Sequence, residues 1–203
     1  MITEQDWLRI LATMGVRATT AAAWASAFED EVQPEKFSAG VDDLKAWLPQ
    51  ILWECSLLER LEENLSYSAD RITAVWPMRF PRVDDAVPYA HNPRALANKV
   101  YAGRMGNKGA DDGYGYRGRC PIMLTGLDAY LHMGTRVGQD LDVMPDLLLQ
   151  PHYGLDAAIA WWEGEIPDSM LSDQVKLRRK VNGGTLGMEH VVQLAQLAQE
   201  AFA

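Results

Sequence analysis

One stretch of the chain decides the fold, and it reads Trp53-Glu54-Cys55-Ser56-Leu57-Leu58-Glu59-Arg60-Leu61-Glu62-Glu63-Asn64-Leu65-Ser66-Tyr67-Ser68-Ala69-Asp70. Helical spacing places Glu54 on the same face as the apolar residues Trp47, Ile51 and Leu58, so a carboxylate interrupts an apolar stripe. A carboxyl group among apolar neighbours favours its protonated form, which is the state that a general acid needs. The pattern therefore predicts that Glu54 is a general acid.

A second acidic residue, Glu63, follows nine residues later, where helical spacing gives way to short polar and apolar alternation. We expect the helix to end between the two residues, with one short β-hairpin near residues 63 to 70. Glycosidic hydrolysis uses two carboxylates in different environments, one as the acid for the leaving oxygen and one as the base for water. With 28 acidic residues such pairs also arise by chance, so the spacing alone favours a solvated helix end.

Length and composition predict a single domain over residues 1–203. The chain has 203 residues, of which 48% are hydrophobic, and this suffices for a sizeable core. No repeat, low-complexity tract or linker marks off a separate wall-binding module. Helical spacing recurs in ten candidate segments, which predicts a mainly α fold with eight or so helices. The segments are 3–15, 21–29, 41–61, 69–76, 92–101, 128–133, 145–149, 155–162, 168–180 and 188–202.

Charge and the first residues limit the partners. With 19 basic against 28 acidic residues, the chain is a poor candidate for binding nucleic acid, because phosphate recognition needs clustered Lys and Arg. Residues 1–18 contain no basic stretch followed by an apolar run, so we expect no signal peptide and no stable membrane insertion. The protein is expected to accumulate in the cytoplasm as a monomer.

Cysteines and histidines do not form metal or disulfide patterns. Cys55 and Cys120 are expected to remain thiols, with Cys55 as a small buried residue on the core stripe. The histidines lack His-Glu-x-x-His spacing, which argues against a zinc amidase, and we predict neither a metal nor a cofactor. The four histidines are His91, His132, His152 and His190.

Two further segments have chemical interest. The loop from Gly103 to Gly118 holds six glycines together with Tyr114 and Tyr116, and it lacks the Gly-Lys-Ser/Thr ending of a nucleotide-binding loop. Such a loop suits a sugar polymer, since Tyr rings stack on pyranose rings. The only basic cluster is Lys176, Arg178, Arg179 and Lys180; we expect it to be a solvated face, which could also steer an anionic glycan.

The quoted stretch resembles glycoside hydrolase family 19, in particular its phage endolysin branch, in which His-Glu-Ser is followed by Glu-Asn-Leu-Asn-Tyr-Ser. Here these motifs read Trp53-Glu54-Cys55 and Glu63-Asn64-Leu65-Ser66-Tyr67-Ser68. The resemblance continues through residues 97–107, 116–126 and 181–184, in the order of the family. It implies a lysozyme-like α+β fold with a small β-hairpin and a substrate cleft.

The resemblance also implies roles for single residues. Glu54 would be the acid, Glu63 the base, and Thr125 would hold the attacking water in an inverting mechanism. Candidates for lining the sugar subsites are Tyr67, Tyr116, Arg119 and Asn182. The chain departs from the family pattern at four places: Trp53 replaces His, Cys55 replaces Ser, Ser56-Leu57-Leu58 replaces Gly-Gly-Phe, and Met123 replaces Gln. Since both carboxylates and Thr125 are kept, we expect retained hydrolysis with altered subsite contacts.

The leading hypothesis is an endolysin that hydrolyses β-1,4 glycosidic bonds of bacterial peptidoglycan strands and so lyses the host cell. It would wait in the host cytoplasm until a holin-type pore releases it to the cell wall. Three alternatives stay open: a chitinase acting on N-acetylglucosamine polymers, a catalytically decayed peptidoglycan-binding protein, and a cysteine amidase that uses Cys55 or Cys120.

Overall fold

The structure is a computed structural model that describes residues 1–203. Its regular secondary structure is almost entirely helical, which confirms the mainly α prediction. The α-helices are α1 Glu4–Thr13, α2 Ala18–Glu31, α3 Val41–Glu54, α4 Ala69–Val75, α5 Val83–Ala86, α6 Pro93–Val100, α7 Asp112–Gly115, α8 Leu127–Val137, α9 Pro151–Glu165, α10 Gln174–Asn182 and α11 Met188–Ala201. Short 3-10 helices lie at Pro34–Lys36, Val87–Tyr89, Pro145–Leu149 and Asp168–Met170. No helix combines the length and the apolar composition that crossing a membrane requires.

The chain divides into two compact units. The terminal unit comprises Met1–Leu61, Cys120–Met123 and Leu147–Ala203, and the central unit comprises Glu62–Arg119 and Leu124–Asp146. The terminal unit buries a large aromatic core, in which the Trp7 and Phe28 rings lie 4.7 Å apart and the Phe28 and Trp47 rings 6.5 Å apart. The central unit has its own smaller core around Ile72, Phe80 and Leu96.

The predicted β-hairpin near residues 63 to 70 is wrong. The only β pairings are isolated bridges from Glu62 to Arg119 and from Arg119 to Leu124. Within the segment itself, the Asn64 side-chain oxygen accepts a hydrogen bond from the Ser66 backbone N–H at 2.9 Å. This local bond turns the chain at the point where a strand would have to continue.

Helix α3 ends at Glu54, whereas the apolar spacing predicts that it continues to Leu61. Pro49 lies inside it, as predicted. Directly after the C-cap Cys55, the residues Ser56, Leu57 and Leu58 have φ of 52°, 58° and 68°. Residues with a Cβ are destabilised by about 1–2 kcal/mol each in this left-handed region. The three residues end the helix, and their backbone conformation lowers the local stability of the turn.

We expect Ser56→Gly to stabilise the protein by about 0.5–1 kcal/mol. Glycine adopts a positive φ without the Cβ penalty, and that gain exceeds the entropy that a glycine loses on folding. Ser56 is exposed, so the substitution removes no core contact. The matched control is Ser26→Gly on the exposed face of α2, which should destabilise by about 0.5–1 kcal/mol. Urea unfolding of both variants measures the difference; equal destabilisation by the two would show that the turn is unstrained.

Candidate active site

Glu54 is the last residue of α3, and its carboxylate lies against cationic and polar groups. Arg178 Nη1 donates to Glu54 Oε1 at 2.5 Å, and Asn182 Nδ2 donates to the same oxygen at 3.3 Å. The Glu54 side chain is 18% exposed. The prediction of apolar surroundings for Glu54 is therefore wrong. Its neighbours on the helix stripe are buried, but the carboxylate itself contacts the Arg178 guanidinium and the Asn182 amide.

Arg178 is the residue that the sequence analysis missed. Its side chain is 1% exposed, so the expectation of a fully solvated basic cluster is wrong at this position. Its Nε donates to the Leu186 carbonyl at 2.8 Å, and its Nη1 also donates to Gln50 Oε1 at 3.2 Å. The signal in the sequence is a matched spacing of four, with Gln50 and Glu54 on one face of α3. Arg178 and Asn182 share a face of α10 in the same way.

Glu63 is half-buried in the central unit and is held by one donor at each carboxylate oxygen. The Tyr101 hydroxyl donates to Oε2 at 2.8 Å, and the Gly118 backbone N–H donates to Oε1 at 2.6 Å. The Glu63 backbone N–H in turn donates to the Gly118 carbonyl at 2.9 Å. These bonds fix both the backbone and the side chain of Glu63 against Gly118.

Thr125 lies beside the same glycine. A Cβ added to Gly118 would lie 3.2 Å from Thr125 Oγ1, 3.3 Å from Glu63 Cβ and 3.4 Å from Glu63 Cδ. The structure thus brings two of the three predicted catalytic residues together around the bare Cα of Gly118. That Thr125 orients a water for Glu63 stays a prediction.

We expect Gly118→Ala to lower kcat tenfold or more, on the order of what small misplacements of reacting groups cost. The added methyl group would force Thr125 or the Glu63 carboxylate to shift by a few tenths of an ångström. Gly115→Ala is the matched control, because a Cβ there meets nothing within 4 Å. Initial rates on soluble glycan fragments test both variants, and equal activity would show that the spacing between Thr125 and Glu63 is uncritical.

The predicted sugar-binding residues have different surroundings. Asn182 contacts Glu54, as described above. Tyr67 is half-buried, with its ring 5.8 Å from that of Trp76. Tyr116 donates its hydroxyl to the Asp142 carbonyl at 2.9 Å, and burial raises the pKa of its phenol. Both tyrosines keep part of their surface accessible, so they remain candidates for sugar contacts.

Arg119 has an internal role instead of the predicted sugar contact. Its side chain is 2% exposed. The guanidinium donates to the Gly115 carbonyl at 2.6 Å and to the Tyr130 hydroxyl at 2.9 Å, and it pairs with Asp146 at 2.8 Å. Arg119 therefore ties together the loop, α8 and the start of the 3-10 helix that begins at Pro145.

Cys55 does not have the properties of a nucleophile. It is fully buried, and its thiol donates to the Ile51 carbonyl at 3.0 Å. Burial raises the pKa of the Cys55 thiol to about 12, so the reactive thiolate is scarce near neutral pH. Cys120 is also buried, and neither cysteine takes part in a disulfide. The cysteine amidase alternative is thus not supported.

The fold is shared with bacterial chitinases. Chitinase C from Streptomyces griseus HUT6037 superimposes with a TM-score of 0.61 at 15% identity, covering 100% of this chain and 93% of that chain. A bacterial family 19 chitinase superimposes with a TM-score of 0.53 at 18% identity, covering 97% of this chain and 94% of that chain. At such identities the similarity shows the fold alone.

Sequence similarity points to the same family. The chain is 32% identical over 133 residues to a glycosyl hydrolase family 19 domain-containing protein of Haemophilus influenzae. The matched region spans 64% of this chain and 65% of that protein. No model of a known protein family matches the sequence. The relative and the shared fold confirm the resemblance to glycoside hydrolase family 19 that the motifs indicated.

Proposed function

We propose that the protein is a glycoside hydrolase that cleaves β-1,4 bonds between amino sugars by inverting acid and base catalysis. The observation that carries this proposal is the surroundings of Glu63, whose carboxylate is held by two donors beside the Thr125 hydroxyl. Hydrogen bonds donated to a carboxylate favour its charged form, and a general base needs that form. A hydroxyl both donates and accepts, so Thr125 can orient a water for Glu63.

Glu54 supplies the proton to the leaving glycosidic oxygen in this proposal. Arg178 and Asn182 both donate to Oε1, so Oε2 is the oxygen that can carry the transferred proton. After transfer, the guanidinium stabilises the negative charge that develops on Glu54. Water activated by Glu63 attacks the anomeric carbon from the opposite face, and the product anomer is inverted.

The proposed substrate is the glycan strand of bacterial peptidoglycan, and the proposed role is that of an endolysin. The motif resemblance to the phage endolysin branch supports both. Chitin is the second candidate, favoured by the chitinases that share the fold. Met123 in place of the family glutamine removes an amide that could hydrogen-bond an N-acetyl group, so the contacts to either glycan are expected to differ from those of the family.

Product analysis distinguishes these substrates. Purified peptidoglycan and chitin oligomers are each incubated with the protein, and mass spectrometry reads the fragments and their reducing ends. The expected result is muropeptides with new reducing sugars from peptidoglycan and much slower cleavage of chitin oligomers. The reverse preference would assign a chitinase. Fragments with anhydro ends would mean that an intramolecular group, and not water, attacks the anomeric carbon. Cut stem peptides or an absence of products would reject glycosidic hydrolysis.

A further inference from the structure

Tyr101 contacts the proposed base although the sequence analysis gave it no role. Its hydroxyl donates to Glu63 Oε2, while the Gly118 N–H donates to Oε1. Of these two donors, the backbone N–H is fixed by the chain, whereas the phenol belongs to a side chain that a single substitution can remove. The orientation of the carboxylate plane therefore depends on the Tyr101 hydroxyl.

We propose that Tyr101 is the positioning residue of the general base: its phenol orients the Glu63 carboxylate toward the water from which it takes a proton. This inference rests on the proposed function of Glu63. Tyr101 exchanges no proton in this role, and the remaining lone pairs of the carboxylate stay open to the water. A hydrogen bond to a carboxylate is stronger than one to a neutral carboxyl group, so the phenol holds Glu63 most firmly in the form that acts as a base.

The phenol is suited to this role because it stays a donor. Burial raises the pKa of Tyr101 well above its usual range, and the nearby charge of Glu63 raises it further. A phenol with such a pKa remains protonated at any pH where a carboxylate can act as a base. Tyr101 thus keeps its hydrogen bond to Glu63 over the working range of the enzyme.

The fold also holds the Tyr101 backbone from two sides. Tyr101 is the C-cap of α6, and its N–H donates to the Ala97 carbonyl at 2.9 Å. Asn107, which is 2% exposed, donates its side-chain amide to the Tyr101 carbonyl at 3.2 Å. The Asn107 side-chain oxygen accepts from the Leu127 N–H at 3.0 Å, which links Tyr101 to the start of α8. These backbone contacts fix the position from which the Tyr101 hydroxyl reaches Glu63.

Few other charges act on the pair. Tyr67 and Arg104 are the remaining groups that influence Tyr101 electrostatically. Glu62, next to Glu63 in the chain, is paired with Arg117 at 2.7 Å. A Tyr101→Phe substitution leaves all four groups in place, so any change at Glu63 reports the lost hydroxyl.

The test compares the wild type with Tyr101→Phe, which removes one oxygen atom and no apolar contact. We expect kcat to fall about tenfold with KM within twofold, since one hydrogen bond to a charged group is lost. A loss confined to kcat fits a misoriented base, whereas a general loosening of the central unit would raise KM as well. Tyr89→Phe is the matched control, since Tyr89 packs its ring on Phe80 at 5.2 Å and is expected to keep wild-type kinetics.

A second measurement does not depend on activity. Glutamate labelled with 13C at the side-chain carboxyl is incorporated, and the Glu63 resonance is assigned by its loss in Glu63→Gln. At neutral pH its chemical shift should change in Tyr101→Phe and keep the wild-type value in Tyr89→Phe, because the carboxyl shift reports the hydrogen bonds that the group accepts. An unchanged shift in Tyr101→Phe would overturn the role of Tyr101 whatever the kinetics show. A wild type without hydrolytic activity would instead overturn the proposed function, while the chemical shift would still decide whether Tyr101 holds Glu63.

Discussion

Glu54→Gln is expected to lower kcat on peptidoglycan by a factor of about 100 to 10,000, the range in which general acid catalysis contributes. Glutamine keeps the shape of the side chain and can still accept from Arg178, but it has no proton to give to the leaving oxygen. The measurement is the rate at which new reducing ends appear. Glu59→Gln is the control, because Glu59 pairs with Arg17 on the surface of the same unit and should have little influence on the rate.

Glu63→Gln is expected to cause a loss of similar size for a different reason, and azide separates the two. The amide of glutamine cannot take a proton from water, so water is not activated in this variant. Azide is already an anion and needs no base before it attacks the anomeric carbon. Azide should therefore restore turnover in Glu63→Gln and leave Glu54→Gln inactive, with an inverted glycosyl azide as the product. Glu62→Gln controls for the neighbouring position, since Glu62 is paired with Arg117 outside the proposed machinery. Wild-type rates in either catalytic variant would refute the assignment of that residue.

Local signals predicted much of the fold. Thr3 and Asp6 form a capping box at the start of α1, in which Thr3 accepts from the Asp6 N–H and Asp6 accepts from the Thr3 N–H. Asn92 caps α6 with Pro93 at its first position, and Gly103 follows with a positive φ. Each of these features depends on residues a few positions apart, so the sequence contains the whole interaction.

The end of α3 could not be predicted in the same way. Apolar spacing continues past Glu54 to Leu61, but the backbone leaves the helix at once through three residues with positive φ. Spacing reports which side chains are apolar and not which dihedral angles the tertiary packing imposes. Leu58, buried at 4% exposure, shows that the apolar residue still reaches the core from a non-helical backbone.

The sequence predicted the positions of the two carboxylates but not the side chains that surround Glu54. The motifs located Glu54 and Glu63, but the partner of Glu54 lies 124 positions away in the chain. Arg178 stands among Lys176, Arg179 and Lys180, and nothing local distinguishes the one buried cation from its exposed neighbours. Only the packing of α10 against α3 and α11 turns it inward.

Arg178→Met is expected to lower the free energy of unfolding by about 1–3 kcal/mol, because oxygens of Glu54 and Gln50 lose their buried donor. The substitution leaves the Glu54 carboxylate at 18% exposure without its counter-charge and deprives Gln50 Oε1 of its donor. Arg179→Met is the matched control, because Arg179 is exposed on the same helix, and its effect should be within about 0.5 kcal/mol. Urea unfolding at neutral pH measures both.

Combining Arg178→Met with Glu54→Gln separates the charge from the packing. If the loss arises from the uncompensated carboxylate, neutralising that carboxylate should restore a large part of it, with a coupling energy of about 1–3 kcal/mol between the two positions. If the double variant is as unstable as the sum of the single ones, Arg178 acts by filling space and the ion pair adds little. The first outcome would mean that burying the Glu54 carboxylate lowers the stability of the fold unless Arg178 is present to offset it. Arg178 would then both position Glu54 for catalysis and stabilise the terminal unit.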